Sequence, residues 1–506
     1  MRYLILYLFF AWQIALASDT LHLSISASPS RINPLLATDS ASSEVAKWVF
    51  DGLVKFDTNG EIVPDLAKSF HFKDDTTLIF ELKQGVKWHD GKPFGADDVV
   101  FTFELINSPK LISPYKDDFQ LVASVVAINE HTIEIKYKQP YFKALSIWMI
   151  GILPKHLWEH EDDPMTSPLN KMAIGTGPYM MTKPFEPNER IALVANSDYL
   201  PHKPHLQRIL LHSISDEMTQ FITLKAGKLD IGGLNALQVS RQIDDSFKEQ
   251  YQLIEQPSNS YTYLGFNLEN PKFANPLIRE AISLAIDKQA LIDLLFFGHA
   301  QICHGPFMPQ THAYPENITQ DLYNPQKARE ILSDLGYTKE SPFVFELTTN
   351  TGNDTRTYAA QIIQHQLAQV GIEMKIRTME WQAFLNTVVL PRRFEAVLLG
   401  WNLSLIPDAK SIWHSSSIKE GGFNLVSYAN PTVDRLIDEA QGMVSQEDFG
   451  RHYQEIFHLI TQDRPYIFLY IPNSITAVKR EIQGVEPSII GIMHNQINWR
   501  KEEITP

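Results

Sequence analysis

The stretch LKQGVKWHDGKPFGADDVVF, residues Leu82 to Phe101, places a tight turn between two regular elements. It overlaps an alternating apolar and polar run from Thr77 to Lys83, which predicts a half-buried strand. Asp90-Gly91 is a dipeptide typical of turns, because glycine adopts left-handed backbone conformations without steric cost. Asp97 stands at the start of a helix-compatible run and is predicted to cap it. Turn and cap residues usually serve the fold, so the block is interpreted as scaffold and not as ligand contact.

Together with PDLAKSF at residues 64–70, this block resembles a family signature. The family is that of the extracytoplasmic solute-binding proteins of peptide and nickel ABC importers, called family 5. Its pattern is PxLAxSW, then a strand, then LRxGVxFHDGxPxxAxDVxF. Members of the family bind and deliver ligands without doing chemistry on them. The resemblance therefore implies a binding protein that is not an enzyme and has no cofactor.

Composition narrows the class of partner. The 506 residues are 44% hydrophobic and 20% charged, which is ordinary for a globular protein of several domains. The formal net charge is -15, and no basic run occurs anywhere in the chain. Nucleic acid is not expected as a partner, because binding to phosphates requires a basic face.

The N-terminus has the pattern of a cleaved secretory signal. Arg2 supplies the positive charge, residues 3–16 are almost wholly apolar, and Ala15-Leu16-Ala17 is an A-x-A site. Cleavage is expected after Ala17, since the stretch is too short for a membrane anchor. Cys303 is the only cysteine, so no lipid-bearing cysteine follows the site. These features predict a periplasmic protein without a lipid anchor, in which Cys303 is a buried hydrophobe.

Elsewhere the chain alternates irregularly between strand and helix patterns, which favours an α/β fold with inserted subdomains. Residues 21–26 and 132–138 alternate as strands, and a helical pattern follows the cap-like Asp39-Ser40. Residues 343–402 read as a β-α-β-α-β unit with strands at 343–349, 372–376 and 394–399. Their helices cover about 359–370, ended by Gly371, and 381–390.

Strands joined in this way run parallel, and ligands bind beyond their carboxyl ends. The loops after the first and third strands should therefore meet at one edge of the sheet. The first loop holds Asn350, Asn353, Asp354 and Arg356, and the third holds Trp401, Asn402 and Asp408.

Arg356 and Asp408 form a candidate pair of opposite charges on these loops. A free peptide is a zwitterion, whose carboxylate suits the guanidinium of Arg356 and whose ammonium group suits Asp408. The first turn of the helix that Arg356 opens also favours an anion. The alternative is that Arg356 is a solvated helix-start residue and Asp408 makes a surface ion pair.

The family resemblance extends to this region. Residues 348–376 and 398–417 look like the family's domain-II segments. In its peptide-binding members, the aspartate of a GW...DPD segment holds the ligand amino group, which implies this role for Asp408. Ile406 replaces the first aspartate of that pattern. An arginine at the start of the domain-II helix holds the carboxylate in dipeptide binders, and Arg356 matches it within about one position. Trp401 and Asn402 would line the pocket.

IGTGPY at 174–179 and the segment 263–292 also match family segments, so the resemblance covers almost all of the mature chain. It implies an α/β, two-lobed periplasmic binding protein of the large, type II-like cluster. Its two-strand hinge would lie near 263–267 and 471–475. Lobe I would comprise 18–262, with an inserted subdomain at 47–170, and the return segment 475–506. Lobe II would comprise 263–474.

The implied function is capture of di- or oligopeptides by hinge closure and delivery to a membrane permease, by a monomeric protein. One alternative within the family is a nickel or nickel-chelate binder, for which His414 stands six residues after Asp408. A second alternative, from a different class of protein, is a secreted zinc hydrolase, because residues 156–160, HLWEH, spell H-x-x-E-H. That motif would place His156 and His160 on one helix face, but no third ligand is predictable, so no metal site is assigned.

Overall fold

The computed structural model describes residues 19–37, 39–187, 189–200, 202–318, 322–419 and 422–502. The predicted signal peptide, residues 1–17, lies outside these ranges. Within them, no helix has both the length and the apolar character that a membrane span requires.

Strands and helices are interspersed along the described chain, which confirms the predicted α/β organisation. The strands are β1 (Thr20–Ile25), β2 (Val54–Phe56), β3 (Ile62–Pro64), β4 (Ala67–Asp74), β5 (Thr77–Leu82), β6 (Val122–Asn129), β7 (Thr132–Tyr137), β8 (Tyr179–Met181), β9 (Ile191–Ala195), β10 (Arg208–Ser213), β11 (Ile231–Leu234), β12 (Tyr251–Pro257), β13 (Ser260–Phe266), β14 (Ala300–Ile302), β15 (Phe343–Asn350), β16 (Ile372–Met379), β17 (Ala396–Asn402), β18 (Tyr466–Lys479), β19 (Ile482–Gln483) and β20 (Arg500–Lys501). The α-helices are α1 (Ser40–Val49), α2 (Ala96–Asn107), α3 (Lys155–Trp158), α4 (Glu217–Lys225), α5 (Ala236–Arg241), α6 (Asp245–Gln250), α7 (Pro276–Ala285), α8 (Lys288–Phe296), α9 (Pro325–Asp334), α10 (Asp354–Ala368), α11 (Trp381–Phe384), α12 (Ala409–Trp413), α13 (Pro431–Ala440) and α14 (Gln446–Asp463).

The chain divides into two compact units. Unit 1 takes the described residues up to Asn235, then Ile243–Gln256, and those from Ile475 onward. Unit 2 takes Ala236–Gln242 and Pro257–Ser474. The sequence places boundaries near 262/263 and 474/475, and the assignment of the units as lobes stays a prediction.

The main sheet of unit 1 has the order β8-β9-β10-β1-β11, followed by the last residues of β18. β1 and β10 pair in parallel over six residues. Leu21, Leu23 and Ile25 point into the core, as the alternating sequence predicts. The predicted cap of α1 is confirmed, because the Asp39 carboxylate accepts the amide of Ser42 at 2.7 Å.

A separate four-stranded sheet of unit 1 has the order β4-β5-β7-β6, and all of its strands run antiparallel to their neighbours. It is built from the segment predicted as an inserted subdomain. Leu78, Phe80 and Leu82 of β5 are buried, so the alternation before the Leu82–Phe101 block is that of a half-buried strand.

The predicted turn within the Leu82–Phe101 block forms at Gly91, whose φ is +85°. The predicted capping role of Asp97 is wrong, because α2 begins at Ala96, two residues earlier than that role requires, and its N-cap is Gly95. Asp98 performs the capping instead, since its carboxylate accepts the Gly95 amide at 3.0 Å. The same carboxylate accepts the Lys155 amide at 2.9 Å and the Trp88 indole N–H at 3.3 Å. Asp98 therefore ties three segments of unit 1 together.

Replacing Asp98 with alanine is expected to destabilise unit 1 by about 1–2 kcal/mol, because the buried Trp88 indole N–H and two partly buried amides lose their acceptor. The midpoint of urea unfolding, followed by far-UV circular dichroism, measures this. Asp97→Ala is the matched control, since its side chain is 75% exposed and makes only a surface ion pair with Lys155. Equal midpoints for the two variants would remove the structural role assigned to Asp98.

A partly buried carboxyl group in unit 1 predicts an unusual dependence of stability on pH. Asp51 accepts hydrogen bonds from the hydroxyls of Thr176 at 3.2 Å and Tyr199 at 3.4 Å. Burial raises the pKa of Asp51 to about 7, and the neighbouring Asp65 carboxylate adds to the effect. The folded state thus keeps a proton that the unfolded chain releases near pH 4. The stability that this proton confers is present in acid and is lost as the pH rises from about 4 to 7.

Asp51→Asn is expected to remove this loss while keeping an acceptor for the hydroxyl groups. Between pH 5 and pH 8, the wild-type protein should lose about 1–2 kcal/mol more stability than the variant. Urea unfolding at the two pH values measures the difference. Glu44, whose pKa burial also raises to about 7, contributes with the same sign in both proteins. An identical pH dependence for variant and wild type would show that Asp51 titrates normally.

The sheet of unit 2 has the order β16-β15-β17-β13-β18, and β14 pairs with β18 on its other side. β15 pairs in parallel with β16 over eight residues and in parallel with β17. The predicted β-α-β-α-β unit is therefore confirmed, with α10 as its first crossover helix. The second crossover differs from the predicted helix, because α11 is short and continues as a π-helical turn, Leu385–Val389.

The predicted strand ends in unit 2 need correction. Asn350 is the last residue of β15, and Trp401 and Asn402 belong to β17 and not to the loop after it. The reason is tertiary, since β13 pairs with β17 through Tyr261↔Trp401 and Ser260↔Asn402. This ladder extends β17 beyond the apolar run from which the strand was predicted.

Candidate functional site

Arg356 lies where the sequence places it, in the first turn of α10 beyond the carboxyl end of β15. Asn353 is the N-cap, and its side chain accepts the Arg356 amide at 2.9 Å. This cap fixes the backbone of Arg356 in the first turn of the helix. The local prediction of a helix start is confirmed.

The guanidinium of Arg356 is partly buried against neutral groups. Its Nη1 donates to the side-chain oxygen of Asn350 at 2.6 Å. Burial lowers the pKa of Arg356, and the phenol groups of Tyr470 and Tyr263 lie near enough to oppose that shift. Across the described part of the chain, no carboxylate forms an ion pair with this guanidinium. A cation held in this way is suited to accept an anion.

Gly400 is required beside this arginine. A Cβ atom at position 400 would stand 2.8 Å from the carbonyl oxygen of Tyr261 and 3.5 Å from Nη2 of Arg356. Any larger residue would therefore push β13 and β17 apart at the edge where Arg356 lies. Because Gly400 immediately precedes Trp401, the same contact places Arg356 close to the chain at Trp401.

Trp401 is half-buried in an aromatic cluster. Its indole N–H donates to the Tyr466 hydroxyl at 3.4 Å, and its ring is parallel to that of Tyr263 with centroids 6.5 Å apart. Phe423, which is 50% exposed, meets the Trp401 ring edge-on at 6.0 Å. Trp401 and Phe423 thus offer an aromatic surface at the strand end. Asn402, the last residue of β17, is exposed at the same edge.

Asp408 is partly buried and is the N-cap of α12, where its carboxylate accepts the Lys410 amide at 3.1 Å. The backbone amide of Ala409, the residue after Asp408, donates to the Tyr453 hydroxyl at 3.1 Å. α12 also carries Trp413, whose ring packs on Tyr466 at 4.6 Å. Asp408 is therefore anchored on the aromatic cluster that holds Trp401.

The structure thus brings Arg356, Trp401 and Asn402 to one sheet edge and ties Asp408 to the same cluster. Arg356 and Asp408 do not pair with each other. Sequence reasoning missed the roles of Gly400, Tyr466 and Phe423. Tyr466 and Phe423 lie on segments distant from the candidate residues, and no local pattern marks them.

The HLWEH segment does not form the helix face that the zinc-hydrolase alternative requires. α3 ends at Trp158, so His156 and His160 do not share a helix face. His156 bonds to the Asp90 carboxylate at 2.6 Å, whereas His160 lies beside Glu159. The described residues contain no group of three His, Cys, Asp or Glu side chains arranged to hold a metal ion.

His414, the histidine on which the nickel alternative depends, is buried and caps the short helix Ser415–Ser417. It is 8% exposed, its Nδ1 accepts the Ser416 amide at 3.0 Å, and its Nε2 lies 3.3 Å from the Asp438 carboxylate. Both ring nitrogens are thus engaged within unit 2.

Three comparisons place the chain among known proteins. It is 30% identical to the oligopeptide-binding protein AppA of Bacillus subtilis over 490 residues, which cover 93% of this chain and 89% of that protein. The solved structure of AppA in complex with a nonapeptide has a TM-score of 0.76 at 28% identity, covering 96% of this chain and 99% of that one. The structure of NikZ from Campylobacter jejuni in complex with Ni(L-His) has a TM-score of 0.79 at 27% identity, covering 96% and 100%.

These similarities confirm the predicted fold class, that of an α/β, two-lobed binding protein of this family. The model of the family described as bacterial extracellular solute-binding proteins, family 5 Middle, matches residues 61–423. With that match and the identity to AppA over nearly its whole length, this chain belongs to family 5 of the bacterial extracellular solute-binding proteins.

Proposed function

We propose that this protein is the periplasmic substrate-binding subunit of an ABC importer, which captures di- or oligopeptides and delivers them to a membrane permease. The relatives it matches are named as binding proteins, and AppA is named for oligopeptides. The observation that carries the proposal is the partly buried Arg356 guanidinium, which has no carboxylate partner in the described chain. A ligand carboxylate would supply the missing anion.

In this proposal Arg356 holds the peptide carboxylate through parallel hydrogen bonds. Asn350 keeps the guanidinium in place, and Asp408 accepts from the peptide ammonium group. The hydrogen bond that the Asp408 carboxylate accepts from the Lys410 amide needs no rearrangement for this, because a carboxylate can accept several hydrogen bonds at once. Trp401 and Asn402 line the space between the charges, and Trp401 stacks on a side chain or peptide plane.

Capture is proposed to occur by closure of two lobes about the strands near 263–267 and 471–475. Lobe I would be 18–262 with its inserted subdomain and 475–506, and lobe II would be 263–474. The closed form is the one that the permease recognises. The protein is proposed to act as a monomer, without a cofactor or nucleic acid.

A nickel chelate is the second candidate ligand, because NikZ was solved with Ni(L-His) and is 27% identical to this chain. Calorimetric titration of the metal-free protein with dipeptides, a nonapeptide and nickel–histidine separates the two. We expect micromolar or tighter binding of a peptide and at least tenfold weaker binding of nickel–histidine. Binding of nickel–histidine without binding of any peptide would show that the protein is a nickel-chelate-binding subunit and would contradict the peptide proposal.

The hydrolase alternative is tested in the same samples. Incubation of the peptide with the protein and zinc, followed by mass spectrometry, should return the peptide intact. The matched control is His156→Gln, which should leave the result unchanged because His156 bonds to Asp90. Cleavage that depends on His156 would contradict the assignment as a binding protein.

A further inference from the structure

Asn350 supplies the side-chain acceptor for the Arg356 guanidinium, and it does so from a rigid strand end. It is the last residue of β15 and is 7% exposed. The ladder between β15 and β16 continues to the pair Asn350↔Met379, and the Thr351 amide donates to the Met379 carbonyl oxygen at 2.7 Å. The backbone is therefore fixed by the sheet on both sides of the Asn350 side chain.

The side-chain amide of Asn350 makes one contact as a donor and one as an acceptor. Its Nδ2 donates to the Thr351 carbonyl oxygen at 3.0 Å, and its Oδ1 accepts from Nη1 of Arg356 at 2.6 Å. The flipped amide would set donor against donor and acceptor against acceptor, so the two contacts fix its orientation. An ionised aspartate has no hydrogen to donate to the carbonyl group. This pair of contacts is therefore matched by an amide and not by a carboxylate.

The other groups next to the guanidinium are neutral as well. Burial raises the pKa of Tyr263 and of Tyr470, the two phenols nearest in charge interaction to Arg356, so both are uncharged at pH 7. Gly400 brings only backbone beside Nη2. A hydrogen bond to a neutral acceptor holds a guanidinium in place without cancelling its charge. Among the described residues, the positive charge of Arg356 thus has no carboxylate to compensate it.

We infer that Asn350 determines the charge of the ligand group that this site selects, because a neutral acceptor positions Arg356 without neutralising it. The inference rests on the proposed function, in which Arg356 holds the peptide carboxylate. Asn350 is a positioning residue in this scheme, since it acts through the guanidinium. An aspartate of the same size would pair with Arg356, and a ligand carboxylate would then meet a neutralised pair. The preference for a peptide acid over its neutral amide would be lost.

The test is calorimetric titration with alanyl-phenylalanine and with its C-terminal amide, which differ in the charge of one group. Asn350→Asp keeps the size of the side chain and adds a negative charge. Asn350→Ala removes the acceptor without adding a charge. Asn324→Asp is the matched control, because Asn324 is the exposed N-cap of α9 in the same unit and aspartate caps helices equally well.

We expect the wild type and Asn324→Asp to bind the acid roughly tenfold or more tightly than the amide. In Asn350→Asp the preference should fall below about twofold, through weaker binding of the acid at unchanged affinity for the amide. Asn350→Ala should bind the acid roughly threefold more weakly and still prefer it to the amide. An equal loss of both affinities in Asn350→Asp would show a merely structural role and overturn the inference.

A double-mutant cycle with Arg356→Gln tests whether Asn350 acts through the arginine. In the Arg356→Gln background, Asn350→Ala should leave the affinity for the acid unchanged. The same loss as in the wild-type background would overturn the positioning role. Circular dichroism and thermal midpoints establish that each variant is folded, and this cycle decides the matter if Asn350→Asp does not fold.

Failure of the inference is distinguishable from failure of the proposed function. A wild type that prefers the acid, together with an Asn350→Asp variant that keeps the same preference, would overturn the role of Asn350 alone. A wild type that binds acid and amide equally, or binds neither, would contradict the proposed function and the inference with it.

Discussion

Replacing Arg356 with glutamine is expected to weaken the binding of a dipeptide with a free carboxyl group by about 10- to 100-fold. The variant loses charge-assisted hydrogen bonds, each contributing roughly 1.5–3 kcal/mol, and tenfold in affinity corresponds to about 1.4 kcal/mol. Asn350 already engages one guanidinium nitrogen, so the arginine is positioned before the ligand arrives. Calorimetry on the dipeptide acid and its carboxyl amide measures both affinities.

The discrimination between acid and amide is the informative readout for Arg356. The wild type should bind the acid at least tenfold more tightly than the amide, and the variant should bind both with similar affinity. Arg377→Gln is the matched control, because Arg377 lies on β16 in the same unit and is about half-exposed. If Arg356→Gln still prefers the acid by the wild-type factor, another residue holds the carboxylate.

Replacing Asp408 with asparagine is expected to weaken the binding of a peptide with a free amino terminus by about 10- to 100-fold. Asparagine is the suitable substitution, because it caps helices as well as aspartate and so preserves the start of α12. The variant therefore loses the charge but keeps the cap. Alanine would also remove the cap, at about 1 kcal/mol of stability, and would confuse folding with binding.

An N-acetylated peptide separates these effects for Asp408. It should bind the wild type weakly, and Asp408→Asn should bind it with the same affinity. Asp448→Asn, in the first turn of α14 in the same unit, is the matched control and should leave both affinities unchanged. Calorimetry that shows equal affinity of Asp408→Asn and wild type for the free-amino peptide would remove Asp408 from the binding site.

Several features were predictable from the sequence because their causes are local. The cap at Asp39, the helix start at Asn353 and the turn at Gly91 depend on residues within four positions of each other. The parallel strands β15, β16 and β17 follow from the alternation of apolar runs with a crossover helix. Arg356 could be placed at a sheet edge from the same topology.

Contacts between distant segments decided the rest. Trp401 is a strand residue because Tyr261, 140 positions earlier, continues the ladder with it, and no property of residues 396–402 alone requires this. Asp98 outcompetes Asp97 as the cap because it also meets Trp88 and Lys155. The HLWEH segment does not adopt the geometry of a zinc site for a similar reason. His156 bonds to the distant Asp90, and the helix ends before His160.

The amino-acid sequence by itself determined the family, the α/β pattern and the residue types available at the sheet edge, because all three are carried by short motifs and periodicity. Only the tertiary structure decided how those residues are used. It left Arg356 partly buried beside Asn350 and Gly400, and it anchored Asp408 through α12 on the aromatic cluster. Burial and charge pairing depend on which distant segments meet, and local sequence does not encode that encounter.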